Sequence, residues 1–487
     1  MMRRPVLTAL ALVLLAGCAP TAEPHGLLGK LWRLEVGPQY ERPAVVMPEE
    51  FRGQLAPTDA ASFADQPWWD VFNDPALQQL LQQALAGSYN LQEAVARIEQ
   101  ARAQVGVAAA QFYPQVGYAG AATRNRVPGG IINPALPEAT FNVFLGAFDV
   151  AWEIDLWGRV RRTTEVARAQ FLGNEDARRG VVMSLVSDVA VGYFQLLALD
   201  RQLAIARDSA ATYQRTRDLF SERYVGGTDT KISSARAEAD LQDSIALVAE
   251  LQRQITLQEN AICALLGTTP GPIERGIPLV EQTTPATPPG LTTDILRRRP
   301  DILQAEQAMI GANSAIGVAV ANFFPAVGLS ALYGAASSKI GNIAKDSASL
   351  WNIAANLAGP IFQGGRLLES YHAQRAFWDE AIAQYRATIV QAFREVADGL
   401  ATEARLAEQR TAKQAQVRAL REAVDLSLAR YQTGRSNYIE VLDAEEMLYP
   451  AERALAQTQR DQLVAVVSLY KALGGGWQTA GDQLARR

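Results

Sequence analysis

The chain is an internal duplication, and no other feature narrows its possible folds as much. Arg223 to Leu241 (RYVGGTDTKISSARAEADL) and Arg430 to Leu448 (RYQTGRSNYIEVLDAEEML) match at a constant offset of 207 residues, with Arg, Tyr, Gly, Ile, Ala, Glu and Leu recurring in register. Gly106 to Gly117 reappears as Gly317 to Gly328 at an offset of 211, identical at eight of twelve positions. Trp157-Gly158-Arg159 answers to Gly364-Gly365-Arg366, again at 207, so the second copy is four residues shorter between those landmarks. A repeat of this length is one supersecondary plan built twice.

Each unit of the plan changes its period part-way. From Leu91 to Phe112 alanine and leucine recur at helical spacing until Pro114 stops the helix. Beyond it the period becomes two: Phe148, Val150, Trp152, Ile154 and Leu156 alternate with Asp149, Ala151, Glu153 and Asp155. The second copy repeats this, with Trp351, Ile353, Ala355 and Leu357 opposite Asn352, Ala354, Asn356 and Ala358. Such strands have one greasy and one wet face, which suits a soluble sheet over a core or a membrane barrel. No proline interrupts Gly158 to Tyr224, and a helix of that length runs roughly 100 Å. Leu185, Val189, Gly192, Leu196, Leu199, Leu203, Ala206 and Ala210 step along it by threes and fours, the seam of a coiled coil. The matching stretches at 223 and 430 then read as tips of helical hairpins, with glycine and small polar residues where the chain reverses.

The N-terminus has Arg3 and Arg4, a short apolar run from Val6 to Leu15, and then Leu15-Ala16-Gly17-Cys18. The run is too short to span a bilayer and has the flanks of a secretory signal. Small residues before Cys18 also fit a bacterial lipoprotein site at which that cysteine is acylated, giving an expected anchor in outer membrane lipid. The net charge of −5 argues against a phosphate-tracking surface, so nucleic acid is not an expected partner. Cys263 is the other cysteine, so no internal disulfide is available, and a small buried core residue is expected there. His25 and His372 lie in unrelated regions. With no nucleophile triad, metal-ligand spacing, phosphate loop or dinucleotide fingerprint, the chain is not expected to be an enzyme or to hold a cofactor or metal.

The expected organisation is a lipoprotein leader over 1–17, an anchor and extended arm over 18–75, and a first repeat over 76–267 with strands at about 114–126 and 140–157 and a tip at about 224–230. A linker over 268–293 follows. The second repeat covers 294–477, with strands at about 325–336 and 348–362 and a tip at about 431–437, before a tail over 478–487. Asp74 and Pro75 are placed to cap and start the helix at Ala76. The Arg297 to Arg299 run reads as a salt-bridge cluster with Asp294 and Asp301. Four strands per chain cannot close a barrel, since closed barrels begin at about eight. Open edges in hydrocarbon leave backbone groups unpaired, so in a membrane several chains must close the wall together.

Trp68-Trp69 with Asp74-Pro75, the Gly290 to Ile302 run, the paired tips and Tyr470-Lys-Ala-Leu-Gly-Gly-Gly-Trp477 together resemble the TolC-type outer membrane factors, most nearly the lipidated OprM-like (NodT-type) branch. The resemblance covers about Gly37 to Trp477. It implies a mainly α protomer giving four strands to a shared twelve-stranded transmembrane β-barrel and long coiled-coil helices to a periplasmic α-barrel. The implied assembly is a homotrimer serving a periplasmic adaptor and an inner-membrane pump, usually of the resistance-nodulation-division type, as an efflux exit duct.

The resemblance also implies a periplasmic constriction at Tyr431, Glu440 and Asp443, where three copies of each carboxylate would favour cations over anions. The bland alternative is that these acids are a solvated helix face. Arg236 occupies the first-copy position matching Asp443; reaching Asp443 or Glu440 of a neighbouring chain, it would latch the closed state. The turns Val225, Gly226, Gly227 and Thr228, and Thr433, Gly434, Arg435 and Ser436, are implied to receive the adaptor. Within the conduit reading, drug efflux, metal efflux and type I protein secretion differ mainly in the inner-membrane partner. A non-conducting coiled-coil lipoprotein scaffold is the rival from another class.

Overall fold

The computed structural model describes residues 35–44, 48, 50–52, 62–71, 73–128, 138–285, 287–288 and 292–477. The leader with Cys18, most of the proline-rich arm and the tail lie outside the described residues, as do the side chain of Trp69 and all of Phe72. The chain divides into two compact units. One comprises the N-terminal part to Ala44, Ile98–Asn174 and Ala305–Tyr385; the other comprises Val45–Arg97, Glu175–Gln304 and the remainder from Arg386.

The first unit holds a four-stranded antiparallel sheet in sequence order, β1 (Gln115–Val127), β2 (Ala139–Ile154), β3 (Ala326–Ser337) and β4 (Ser349–Ala358). Its register carries the period-two pattern across all four strands. Tyr118 pairs with Phe148, Phe148 with Tyr333, and Tyr333 with Trp351, so one aromatic row crosses the sheet. Two residues along lies the row Val116, Val150, Ala331 and Ile353. The next holds Trp152, Leu329 and Ala355, and Ile154, Val327 and Leu357 follow. The four aromatics are between 63% and 85% exposed, and Ile353 and Leu357 are more than 70% exposed. Among the described residues, no protein core covers this apolar face. Below the sheet Trp157 stacks on Phe324 at 4.7 Å and donates to Pro325 O at 2.8 Å, tying the start of one repeat's long helix to the strand of the other.

The second unit begins with α1 (Pro75–Gly87) and α2 (Tyr89–Ala109), the latter running on into the first unit. Asp74 caps α1 as its position suggests: Oδ1 accepts from Ala76 N at 3.0 Å and Leu77 N at 3.4 Å. Its other oxygen accepts from Tyr193 Oη at 3.0 Å, Ile277 N at 3.1 Å and Gln282 Nε2 at 2.7 Å. The four remaining long helices are α3 (Arg159–Val225), α4 (Lys231–Leu266), α6 (Arg366–Gln432) and α7 (Ile439–Ala472), with α5 (Pro300–Ala321) before β3. Along α3 the seam residues Leu185, Val189, Leu196, Leu199, Leu203 and Ala206 are all buried. At Gly192 a Cβ would lie 3.1 Å from Gln258 Nε2 and 3.2 Å from Ile262 Cγ1, a tight fit against α4. Leu247, Val248, Leu251 and Ile255 of α4 pack against the Leu199 to Ala206 stretch. Cys263 is buried in the main core. The arginine run is structural: Arg298 pairs with Asp294 at 3.2 Å and Asp65 at 2.9 Å, and buried Arg299 with Asp301 and Glu395, each at 2.7 Å.

Candidate functional site

The two hairpin tips, α3 to α4 and α6 to α7, are built by one device used twice. Gly227 and Gly434 both take left-handed backbone angles, φ 71° and 69°. At the first tip Gly227 N donates to Tyr224 O at 3.0 Å and Thr228 N to Arg223 O at 2.9 Å; at the second, Gly434 N donates to Tyr431 O and Arg435 N to Arg430 O, both at 2.9 Å. This pairing closes the last carbonyls of each ascending helix and needs a residue without Cβ strain at the reversal. The tips differ at the start of the return helix. Thr230 caps α4 by accepting from Ser233 N at 3.3 Å, whereas Tyr438 precedes α7 without a side-chain cap. Val225, Gly226, Gly227, Thr228, Thr433, Gly434 and Arg435 are exposed, and Ser436 is half-buried with an unpartnered hydroxyl.

Behind the turns the copies pack on one another. Tyr213, Phe220, Ala237, Leu241, Tyr438, Val441 and Leu442 form a small core, with Leu219, Tyr431 and Tyr449 against it. Tyr438 meets Tyr431 edge-on at 4.8 Å and Phe220 at 5.6 Å, and its hydroxyl shares a 2.8 Å hydrogen bond with Thr216. Arg223 lays its guanidinium over the Tyr431 ring at 5.4 Å and donates to the Tyr431 hydroxyl. A first-copy arginine thus positions the candidate constriction tyrosine.

Charged groups line the outside of this core. Arg236 donates to Glu446 Oε1 at 3.0 Å and Asp443 Oδ1 at 3.4 Å, all within one chain. Glu446's hydrogen bond holds the Arg236 guanidinium more firmly protonated than usual. Glu440 does not join it; its partner is Arg430 at 3.7 Å. These pairs are solvent-exposed, so each contributes about 0–1 kcal/mol, a bias on tip geometry rather than a clamp. Asp240, half-buried beside them, is pushed above the usual carboxylate range by burial and then by Glu446. Glu445 points the other way, into the tyrosines: it is 7% exposed, its Oε2 has no hydrogen-bond partner, and burial pushes its carboxyl up to about 7.

The sequence profile of the outer membrane efflux proteins matches residues 80–268 and 291–475, the two repeats in turn. The chain belongs to this family. Among its relatives, the probable efflux pump outer membrane protein TtgC of Pseudomonas putida is 33% identical over 447 residues, 90% of this chain and 92% of TtgC. The cation efflux system protein CusC of Escherichia coli K12 is 30% identical over 446 residues, 91% of this chain and 96% of CusC. Among solved structures, the open state of the Neisseria gonorrhoeae MtrE outer membrane channel superposes with a TM-score of 0.82 at 29% identity, covering 91% of this chain and 99% of MtrE. The TolC-type resemblance of the motifs and the four-stranded, long-helix protomer agree with this membership.

The residues gathered at the tips extend beyond those singled out from sequence. Asp443 sits with Arg236 and Glu446, whereas Tyr431 sits apart from them with Arg223 and Tyr438, and Glu440 with Arg430. A signal for Glu446 was available: at the 207 offset it stands opposite Ala239, an acid gained by the second copy three residues after Asp443, on the same helix face. Nothing in the sequence separates Glu445 from its counterpart Glu238.

Proposed function

We propose that this protein is the outer-membrane exit duct of a tripartite efflux system, in the lipidated OprM-like manner. Three copies close one twelve-stranded barrel, and the hairpin tips narrow its periplasmic entrance. The observation that carries the reading is the apolar face shared by all four strands: a continuous set of exposed apolar rows, one of them wholly aromatic, on a sheet that ends in two open edges. In water such a surface is a liability, whereas in a bilayer it is the lipid-facing band with an interfacial girdle. Closure with sister chains satisfies both edges at once. Energy for transport comes from an inner-membrane pump of the resistance-nodulation-division type, reached through a periplasmic adaptor at the tips, and Cys18 carries the lipid anchor.

Small toxic compounds are the proposed cargo, in keeping with relatives named for efflux. The likeness to a cation efflux protein favours a second reading, metal-ion export, separable by exposing a deletion strain to antibiotics and to a panel of metal salts. The gate reading assigns selectivity to Glu440 and Asp443 and a weak intrachain bias toward the closed tip to Arg236. In planar bilayers Glu440→Ala with Asp443→Ala should weaken cation preference, and Arg236→Ala should raise open probability with little change in thermal stability. Selectivity unchanged by both acid substitutions would remove those residues from the pore.

A further inference from the structure

The duplication supplies an internal control for one residue. Glu238 and Glu445 occupy the same position in the two copies. Glu238 is only partly buried, accepts from Gln242 Nε2 at 2.8 Å and lies 3.7 Å from Arg217, so it has both a hydrogen-bond donor and a cation beside it. Glu445 is buried in the core between the hairpins, and among the described residues no cation comes within ion-pairing distance of it. A carboxylate that is buried, unpaired and short of a hydrogen bond favours its neutral form, and its charged form favours any arrangement that admits water.

We propose that Glu445 is a proton-operated element of the tip: neutral, it stays packed between the two hairpins, and ionised, it loosens the second-copy hairpin from the first. The proposal rests on the reading of the tips as the duct's closure and adds its regulation. The groups around Glu445 leave it that role. From α3 come Tyr213 and the Arg215 guanidinium; the latter favours the charged form but is held by Thr212 at 3.1 Å. Tyr438, just before α7, and Tyr449 of α7 are both raised by burial and so neutral across the physiological range. Asp240 of α4 and Glu446 share Tyr213 as a neighbour, and Tyr431 of α6 is reached through Tyr438. None of these supplies a compensating positive charge at bonding distance.

The sign follows from the direction of the shift. The packed tip holds the proton more tightly than a loosened tip, in which Glu445 returns to its ordinary value of 4.5. Packing is therefore strongest and independent of pH below that value, weakens as pH rises to about 7, and is constant at its weakest above it. Across that window the packed-to-loosened ratio falls on the order of a hundredfold.

The test uses the full chain in lipid nanodiscs and planar bilayers between pH 5 and 8.5. Hydrogen exchange across residues 431–449, corrected for the intrinsic pH dependence of exchange, should show opening that rises at least tenfold in the wild type. It should be flat at the acid-side level in Glu445→Gln and in Glu445→Leu, a second variant that keeps the site apolar. Open probability should follow the same pattern. A wild type with no pH response in exchange, or Glu445→Gln retaining the wild-type response, overturns the proposal. Exchange behaving as expected with no current at any pH would uphold the proton switch and count against the duct; current without any Glu445-dependent exchange would do the reverse.

Discussion

The sidedness of the sheet can be tested at a single pair of adjacent residues. Ile353 lies on the apolar face, 75% exposed, paired with Ala331 and one row from the Tyr118, Phe148, Tyr333 and Trp351 line. Asn352 is its neighbour on the opposite face, paired with Leu332. From Trp351 to Leu357 the apolar positions span about 20 Å of strand at ~3.4 Å per residue, so Ile353 sits well inside a hydrocarbon band of about 25 Å. Ile353→Arg then places a guanidinium in lipid at a cost of about 2–4 kcal/mol per chain, or about 6–12 kcal/mol for three chains closing one barrel. Asn352→Arg faces the lumen and should cost less than about 1 kcal/mol per chain. Urea-driven unfolding from lipid vesicles, with heat-modifiable migration on gels as a check of assembly, measures both. Equal costs at the two positions would show that neither face meets lipid, and the duct built on that face would be lost.

Other expectations follow from the same contacts. Asp74→Ala removes two cap hydrogen bonds and the acceptor of buried Tyr193 and of half-buried Ile277 N, while Gln282 Nε2 keeps its 2.9 Å bond to Ile277 O. At about 1 kcal/mol for the cap and ~1–3 kcal/mol for the buried Tyr193 hydroxyl left without its acceptor, the helical unit should lose roughly 2–4 kcal/mol, measured as a lower denaturant midpoint. Asp74→Asn, which keeps an acceptor, should recover part of that loss. Cys18→Ser should leave an unacylated precursor in membranes labelled with radioactive palmitate; a processed, labelled variant would refute the anchor.

Much of the fold is legible without coordinates because it rests on local periodicity. The alternation around Trp152 and Trp351 set which side chains share a face, and the structure pairs those same residues row by row. The threes-and-fours spacing from Leu185 to Ala206 marks a buried seam for a reason internal to the helix: those residues lie on one stripe whatever packs there. Asp74 before Pro75 announces a cap, and the glycines at 227 and 434 announce reversals, because each depends only on backbone geometry within a few residues.

What surrounds a side chain depends on the element packed across from it, and that is where local pattern stops. Arg236 takes Glu446 and Asp443 of its own chain because α4 and α7 lie side by side behind the tips, a relation no spacing encodes. Arg223 reaches Tyr431 for the same reason. The sharpest case is the pair Glu238 and Glu445, one residue type at one repeat position, the first partly exposed with partners and the second buried. By itself the sequence determined the two copies, their strands, helices and turns, since these follow from periods and backbone preferences written along the chain. Only tertiary packing decided which copy turns its glutamate inward, because two homologous hairpins laid against each other present different sides to the shared interior.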